Sequence, residues 1–381
     1  MAWMSADEAM KRLNIRQQTL YAYVSRGRVE ARPDPADPRR SLYSAEDISN
    51  LAARRARPRK AAEVAKEAIS WGEPVMASAL TTVTRGRLYY RGRDAINLSQ
   101  TMTLEDAAAF FWDAPYTAPK TLIALPSGTL KARLFDALAQ RAGSVAATRG
   151  RARPVLAEEC AYVLESLAVA AANGEGVGPI HQRLAMSWGL DGRGADLVRR
   201  ALILLMDHEL NPSTFAARVA ASTGASLSAC ALAGLATLSG PLHGAQVHSV
   251  IKFLREGVRL GPHAAVRARL DEGRQLPGFG HNLYPEGDPR AAALLEAMKA
   301  PGPVREVCAA AMDETGLAPN VDLAVAALAV TLDIPEEAPF AIFAVGRGVG
   351  WLGHAMEQIE TGAIIRPRAR YIGPAPAPPL S

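Results

Sequence analysis

The sequence predicts an all-α protein, a body of packed helices carried behind a small basic helical module. Three observations predict it. From about residue 104 to residue 358 the chain runs as one alanine-rich helical pattern after another, with no alternation of strand and helix. Charge is unevenly placed: residues 1–60 hold 13 Lys+Arg and 7 Asp+Glu, against 43 and 38 in the whole chain, so the basic excess belongs to the N-terminal sixth. At 381 residues, 49% hydrophobic and 21% charged, the chain is long enough for two or three domains with cores of their own.

The basic module comes first. Ser5-Ala6-Asp7-Glu8 reads as a capping box opening a helix, with Ala6, Ala9, Met10 and Leu13 on one face. Asn14-Ile15 makes a short turn. Arg16 to Arg26 reads as a second helix with Leu20 and Val24 inward, ended by Gly27. Arg28 to Tyr43 is a proline-rich loop with short extended ends, and Ser44-Ala45-Glu46-Asp47 caps a third helix. Two short helices joined by a tight turn have helix-turn-helix geometry. In that geometry Arg16, Gln17, Gln18 and Thr19 face base edges, and Arg39 and Arg40 reach phosphates. TLYAYVSRG and DPRRSLYSAEDI resemble the winged helix-turn-helix of excisionase and MerR-type DNA-binding domains. The resemblance covers residues 1–57 and implies DNA as a partner; the competing reading is a protein-contact module with solvated arginines.

Residues 58–70 read as a linker. Val83 to Leu98 reads as a short hairpin around Arg85-Gly86, followed by helices at Leu104 to Trp112, Leu130 to Gln140, Ala157 to Ala172, Ala195 to Met206 and Ser213 to Ala221. Residues 372–381, rich in proline and alanine, read as a disordered tail. Cys160, Cys230 and Cys308 are far apart and lack C-x-x-C spacing, so they read as buried free thiols suited to a reducing compartment. With no apolar run of membrane-spanning length and no signal-peptide pattern, the expected location is cytoplasmic, with no membrane partner.

Five polar stretches interrupt the helical background. Asp207-His208-Glu209 closes an apolar run; adjacent side chains diverge by about 100° on a helix, which argues against a shared metal ion. His243, in LSGPLHGAQ, stands before a new helix beginning near Val247, where the partial positive charge of the terminus favours a neutral ring. His281 and Arg290 belong to the irregular loop PGFGHNLYPEGDPR. Asp322, in APNVD, enters an apolar helix near its start, where burial would make it a stronger base; taken alone it would read as a helix cap. Arg347 and Arg366 offer guanidinium forks suited to carboxylates. Gly348 to Gly353 matches G-x-G-x-x-G, but its helical context argues against a dinucleotide site. His181, His248, His263 and His354 read as surface or packing residues.

Together DHELNPSTFAARV, LSGPLHGA, PGFGHNLYPEGDPRA, APNVD, GRGVGWLGHAMEQ and IIRPR resemble the citrate synthase family, in that family's order. The resemblance runs from about Trp71 to Tyr371. It implies a large helical domain (residues 71–245 and 333–371) and a small one (residues 246–332), closing over a site shared in a homodimer. It implies Asp322 as the base that deprotonates acetyl-CoA, His243 as donor to the thioester oxygen, and His281 as the group polarising the ketone of oxaloacetate. His208, Arg290, Arg347 and Arg366 would bind the carboxylates of oxaloacetate, Arg366 from the partner subunit. Acetyl-CoA is then a substrate, and neither metal nor cofactor is required. The chain departs from the family where basic residues often follow the GFGH motif: Asn282 and Pro285-Glu286 stand there. The implied activity is citrate synthase. The alternatives are 2-methylcitrate synthase using propionyl-CoA, or a DNA-binding regulator sensing oxaloacetate or CoA, against which the retained Asp322 argues.

Overall fold

The computed structural model describes residues 3–13, 15–25, 28–35, 37, 40–56, 76–120, 125, 127–143, 147–174, 177–369 and 373. Asn14, Gly27, Arg39, the linker and nearly all of the tail therefore lie outside the described residues. The chain divides into two compact units, Met1–Ala77 and Ser78–Ser381.

In the first unit, β1 (Trp3–Ser5), α1 (Ala6–Leu13), α2 (Gln17–Ser25), β2 (Ala31–Pro33), β3 (Ser41–Ser44) and α3 (Ala45–Ala56) follow in order. The strands form an antiparallel sheet in the order β1-β3-β2, with Trp3 opposite Ser44 and Arg32 opposite Leu42. The capping box is present: Ser5 N donates to Glu8 Oε2 at 2.8 Å, and Glu8 N returns to Ser5 Oγ at 3.3 Å. Ala9, Leu13, Leu20, Val29, Tyr43 and Ile48 form the core. Strand β1 was not legible in the sequence, because three residues are too few for a periodic signal. On α2 and just before it, Arg16, Gln17 and Gln18 are exposed, Thr19 is half-buried, and Gln17 Nε2 donates to Tyr21 Oη at 2.7 Å. Arg40 is exposed beside Asp37 at 3.4 Å.

The second unit opens with the expected hairpin. β4 (Thr81–Thr84) and β5 (Arg87–Tyr90) turn through Arg85 and Gly86 at φ 50° and 68°, and β6 (Arg93–Asp94) completes the sheet. Asp94 then caps α4 (Ala95–Thr101) by accepting from Ile96 N and Asn97 N. Helices α5 (Leu104–Trp112), α6 (Leu130–Ala142), α7 (Arg153–Ala171), α8 (Ile180–Ser187), α9 (Gly192–Leu205), α10 (Pro212–Ser222) and α11 (Leu227–Leu238) follow. After them come α12 (Val247–Leu260), α13 (Pro262–Asp271), α14 (Pro289–Met298), α15 (Gly302–Thr315), α16 (Val321–Leu332) and α17 (Ala338–Thr361).

Helix α17 is the centre of the packing: nearly every residue from Ala338 to Met356 is buried. The G-x-G-x-x-G match lies inside this helix, so its glycines serve packing. A Cβ on Gly346 would come within 2.6 Å of Leu202 O, and one on Gly350 within 2.5 Å of Met206 O. Only glycine lets α17 approach the C-terminal end of α9 so closely. Cys160 and Cys230 are buried as expected, while Cys308 is half-buried. Among the described residues no helix is long and apolar enough to cross a membrane.

Candidate functional site

Asp207, His208 and Glu209 leave the end of α9 in three directions. Asp207 turns inward to His354, Glu209 adopts the left-handed region at φ 51° and accepts from Val83 N at 2.8 Å, and His208 points into the site. They do not converge on one point. Buried His208 shares a hydrogen bond of 2.9 Å between Nε2 and Tyr284 Oη.

The loop from Pro277 to Asp288 is held against the APNVD segment by backbone bonds. Gly280 N donates to Ala318 O at 2.9 Å, Asn320 N to Gly278 O at 2.9 Å, and Asn320 Nδ2 to Gly280 O at 3.1 Å. This clamp brings His281 beside His208, with ring centroids 5.2 Å apart, and beside Tyr284 at 4.8 Å. His281 Nδ1 accepts from Leu283 N at 3.1 Å, which leaves the proton of the neutral ring on Nε2.

Asp288 caps α14 and grips its second residue, Arg290: Nε donates to Oδ1 at 2.9 Å and Nη2 to Oδ2 at 2.7 Å. Asp288 Oδ2 also accepts from Val321 N at 3.0 Å, tying α14 to the start of α16. Asp322 is the second residue of α16 and is half-buried, but it is not the cap. Asn320 fills that place, accepting from Asp322 N at 3.0 Å, so the Asp322 carboxylate is not spent on capping. No hydrogen bond to that carboxylate is found among the described residues.

His243 precedes a 3₁₀ turn, Gly244–Gln246, that leads into α12. Its Nε2 lies 2.9 Å from Ser213 Oγ, and that hydroxyl also lies 2.7 Å from Asn211 Oδ1. One hydroxyl proton thus stands between two acceptors. Turned toward the imidazole, it leaves the ring proton on Nδ1; turned toward Asn211, it leaves the Ser213 oxygen to accept from Nε2–H. The His243 ring is 6.5 Å from Phe343, and the Arg347 guanidinium lies 5.1 Å above the same Phe343 ring. Arg347 Nε donates to Leu205 O at 2.8 Å, while its two Nη groups make no intramolecular hydrogen bond among the described residues.

The electrostatics follow from this geometry. Burial and then Arg347 push His243 down to about 4. Burial and then Arg290 do the same for His281, also to about 4. His208 is held well below the ordinary imidazole value by burial, Arg290 and Arg347. All three rings are neutral at pH 7. The expected neutrality of His243 is present, but its cause is burial and a neighbouring cation rather than the helix terminus. Asp322 moves the other way: burial raises it from 3.8 to about 6, against the pull of Arg290 and Arg347. The two arginines also part company. Burial opposes the charge on Arg290, yet Asp288 outweighs it and holds that guanidinium firmly protonated. Arg347 has no ion pair among the described residues, and burial lowers it to about 10.

The structure therefore brings together His208, His243, His281, Arg290, Asp322 and Arg347. Arg366 is not brought in: it is exposed in the extended segment after α17. Sequence reasoning missed Tyr284, Asp288, Asn320, Ser213 and Phe343. Asp288 and Asn320 carried a usable signal, an Asp-Pro or Asn one residue before an apolar helix. Tyr284 and Phe343 carried none, because an aromatic residue beside a site looks the same in sequence as one in a core. Of the histidines set aside, His354 is a fully buried and bonded helix residue, His181 is buried, and His248 and His263 are more open and lie near Glu336 and Glu314.

Among known proteins, a family model described as citrate synthase, C-terminal domain, matches residues 176–368. Citrate synthase of Haloferax volcanii is 40% identical over 191 residues, which cover 47% of this chain and 50% of that protein. Citrate synthase 2 of Bacillus subtilis is 40% identical over 186 residues, with 46% and 50% covered. The chain spans about half the length of these curated relatives in the matches. A 2-methylcitrate synthase of Mycobacterium tuberculosis is 34% identical over 187 residues, covering 46% of this chain and 47% of that protein. The crystal structure of citrate synthase from Thermotoga maritima superposes with a TM-score of 0.66 at 27% identity, covering 81% of this chain and 96% of that one. A citrate synthase of Thermoplasma acidophilum, solved as a ternary complex with carboxymethyl coenzyme A and oxaloacetate, has a TM-score of 0.66 over the same shares at 24% identity, a likeness of fold alone. On the family match over residues 176–368, this chain belongs to the citrate synthase family.

Proposed function

We propose that the chain is a citrate synthase, condensing acetyl-CoA with oxaloacetate and water to give citrate and CoA. The observation that carries the reading is the opposition of charge states in one pocket: a carboxylate raised to about 6 among histidines kept neutral. A thioester α-carbon is a weak acid. Its proton leaves only when a base and an oxygen donor act together. Asp322 takes the methyl proton, and His243 donates from Nδ1 to the thioester oxygen as the enol forms, in the orientation in which the Ser213 hydroxyl turns its proton to Nε2. The enol carbon attacks the ketone carbon of oxaloacetate. His281 donates from Nε2–H to the developing alkoxide. Arg290, Arg347 and His208 hold the carboxylates, and a guanidinium fork suits that task. Water then cleaves the citryl thioester and releases CoA. No metal or redox cofactor enters these steps.

The same reading assigns residues 71–245 and 333–371 to a large domain and residues 246–332 to a small one, closing over the site to exclude water. It makes the chain a cytoplasmic homodimer in which Arg366 completes the oxaloacetate site of the partner subunit. Incubation of the full chain with both substrates should yield citrate and CoA by mass spectrometry. Absence of product with acetyl-CoA and with propionyl-CoA would refute the reading, and product from propionyl-CoA alone would make it a 2-methylcitrate synthase.

For the N-terminal unit we propose a winged helix-turn-helix that binds DNA, supported by the two short helices, the antiparallel sheet and the exposed Arg16, Gln17, Gln18 and Arg40. Phosphate contacts make such binding fall steeply with salt. Fluorescence anisotropy with mixed-sequence duplexes tests it; absent or salt-insensitive binding leaves the protein-contact module as the reading.

A further inference from the structure

Helix α17 carries more buried polar chemistry than the site itself uses. Arg347, Gly350 and His354 fall at i, i+3 and i+7 and so share one face. That face holds three successive residues at the end of α9. Arg347 Nε donates to Leu205 O at 2.8 Å, Gly350 N to Met206 O at 3.1 Å, and His354 Nε2 bonds Asp207 Oδ2 at 3.2 Å. The next residue in the chain is His208.

The proton on His354 can be placed by elimination. Arg218 Nη1 lies 3.0 Å from His354 Nδ1, and a guanidinium only donates. Nδ1 is therefore the acceptor, and the proton of the neutral ring sits on Nε2, directed at Asp207 Oδ2. Arg218 is fixed in turn by Gln358 Oε1 at 3.1 Å and by Glu357, whose other oxygen accepts from Ala79 N at 2.8 Å. His354 and Asp207 are both fully buried. The result is a buried chain from Arg218 through a neutral imidazole to the Asp207 carboxylate, ending one residue from His208. Asp207 is also the leading electrostatic support for the charge on Arg347. A buried ionic chain is costly to desolvate and contributes little net stability, so fold stability alone is a weak account of it.

We propose that His354 is a positioning residue for dicarboxylate binding: by accepting from Arg218 and donating to Asp207 it fixes the last of the three bonds that set His208 and Arg347 against the substrate. The inference rests on the reading of the site as an oxaloacetate site. Two variants of the full chain test it. In His354→Gln an amide supplies one acceptor and one donor; in His354→Phe a ring of similar size supplies neither. Loss of charge-assisted bonds predicts that His354→Phe weakens oxaloacetate binding by about tenfold or more, measured by calorimetry, while the KM for acetyl-CoA stays within about twofold. His354→Gln should recover most of the oxaloacetate affinity.

Unchanged oxaloacetate affinity in a folded His354→Phe variant would overturn the inference. So would equal losses of both substrates, since a general loss of structure produces that pattern. If His354→Phe does not fold, the wild-type tautomer decides. Long-range ¹⁵N–¹H spectra of histidine-labelled protein, assigned by difference from His354→Gln, should show His354 neutral with its proton on Nε2. A charged ring, or a proton on Nδ1, would overturn it. A wild-type chain that binds no oxaloacetate at all would instead overturn the site reading, and this inference with it.

Discussion

Replacing Asp322 by asparagine should disable the reaction and stabilise the protein. The carboxyl is raised from 3.8 to about 6, chiefly by burial. At 1.36 kcal/mol for each tenfold change in proton affinity, that displacement amounts to about 3 kcal/mol against the folded anion at pH 7. Asp322 is half-buried rather than sealed, so solvent screening reduces this to roughly 1–2 kcal/mol. The sign follows from the folded value lying above the unfolded one: the penalty is complete above pH 6, has fallen to roughly half by pH 5, and is absent below 3.8. The amide of the variant cannot ionise and escapes it. Thermal unfolding at pH 7 should therefore show Asp322→Asn melting a few degrees above wild type, with the gap narrowing at pH 5. Removal of the base should lower turnover by about 10² to 10⁴. A variant that melts lower than wild type at pH 7, or that keeps near-normal turnover, would refute the account of Asp322 as a base whose anion is disfavoured by partial burial.

The remaining predictions concern the rest of the site. Below pH 6.5 the unfolded chain protonates histidines that the folded chain keeps neutral at positions 208, 243 and 281, while folded Asp322 takes up one proton; stability should fall with acid by up to about 2.7 kcal/mol per pH unit between pH 6 and 4, read from melting curves. Asp288→Ala leaves Arg290 buried without its partner and Val321 N unbonded, and should cost about 3–5 kcal/mol by denaturant titration, with loss of oxaloacetate binding. Gly350→Ala places a methyl group 2.5 Å from Met206 O, a backbone atom that can yield only by moving the end of α9, and should cost about 1–3 kcal/mol and weaken oxaloacetate binding. Ser213→Ala removes the hydroxyl bonded to His243 Nε2 and should lower kcat about tenfold with oxaloacetate affinity unchanged; an unchanged kcat would remove Ser213 from the mechanism.

Much of the fold was legible because its signals are local. The Ser5 and Glu8 capping box, the turn at Arg85-Gly86 and the apolar periods of α5, α6, α7, α9 and α10 are each encoded within a few residues. The residues of the site were legible for another reason. Five short polar motifs broke an apolar background, and one family contains them in that order. Their geometry was not legible. That Asn320 caps α16 and leaves the Asp322 carboxylate uncommitted depends on which of two neighbouring polar residues accepts the backbone donors. That His243 is neutral depends on its burial in the folded chain and on Arg347, about a hundred residues away in sequence. The approach of α17 to α9 was encoded in Gly346 and Gly350, yet in one dimension Gly350 looked like part of a nucleotide-binding fingerprint.

The most direct test of the central claim is release of free thiol from acetyl-CoA. The full chain, given acetyl-CoA and oxaloacetate together, should release CoA continuously. It should release none with either substrate alone, and almost none when Asp322 is replaced by asparagine. Thiol release that persists without oxaloacetate, or that survives in Asp322→Asn, would contradict the assignment of Asp322 as the base of a condensation, and would leave the pocket as a dicarboxylate site with some other use.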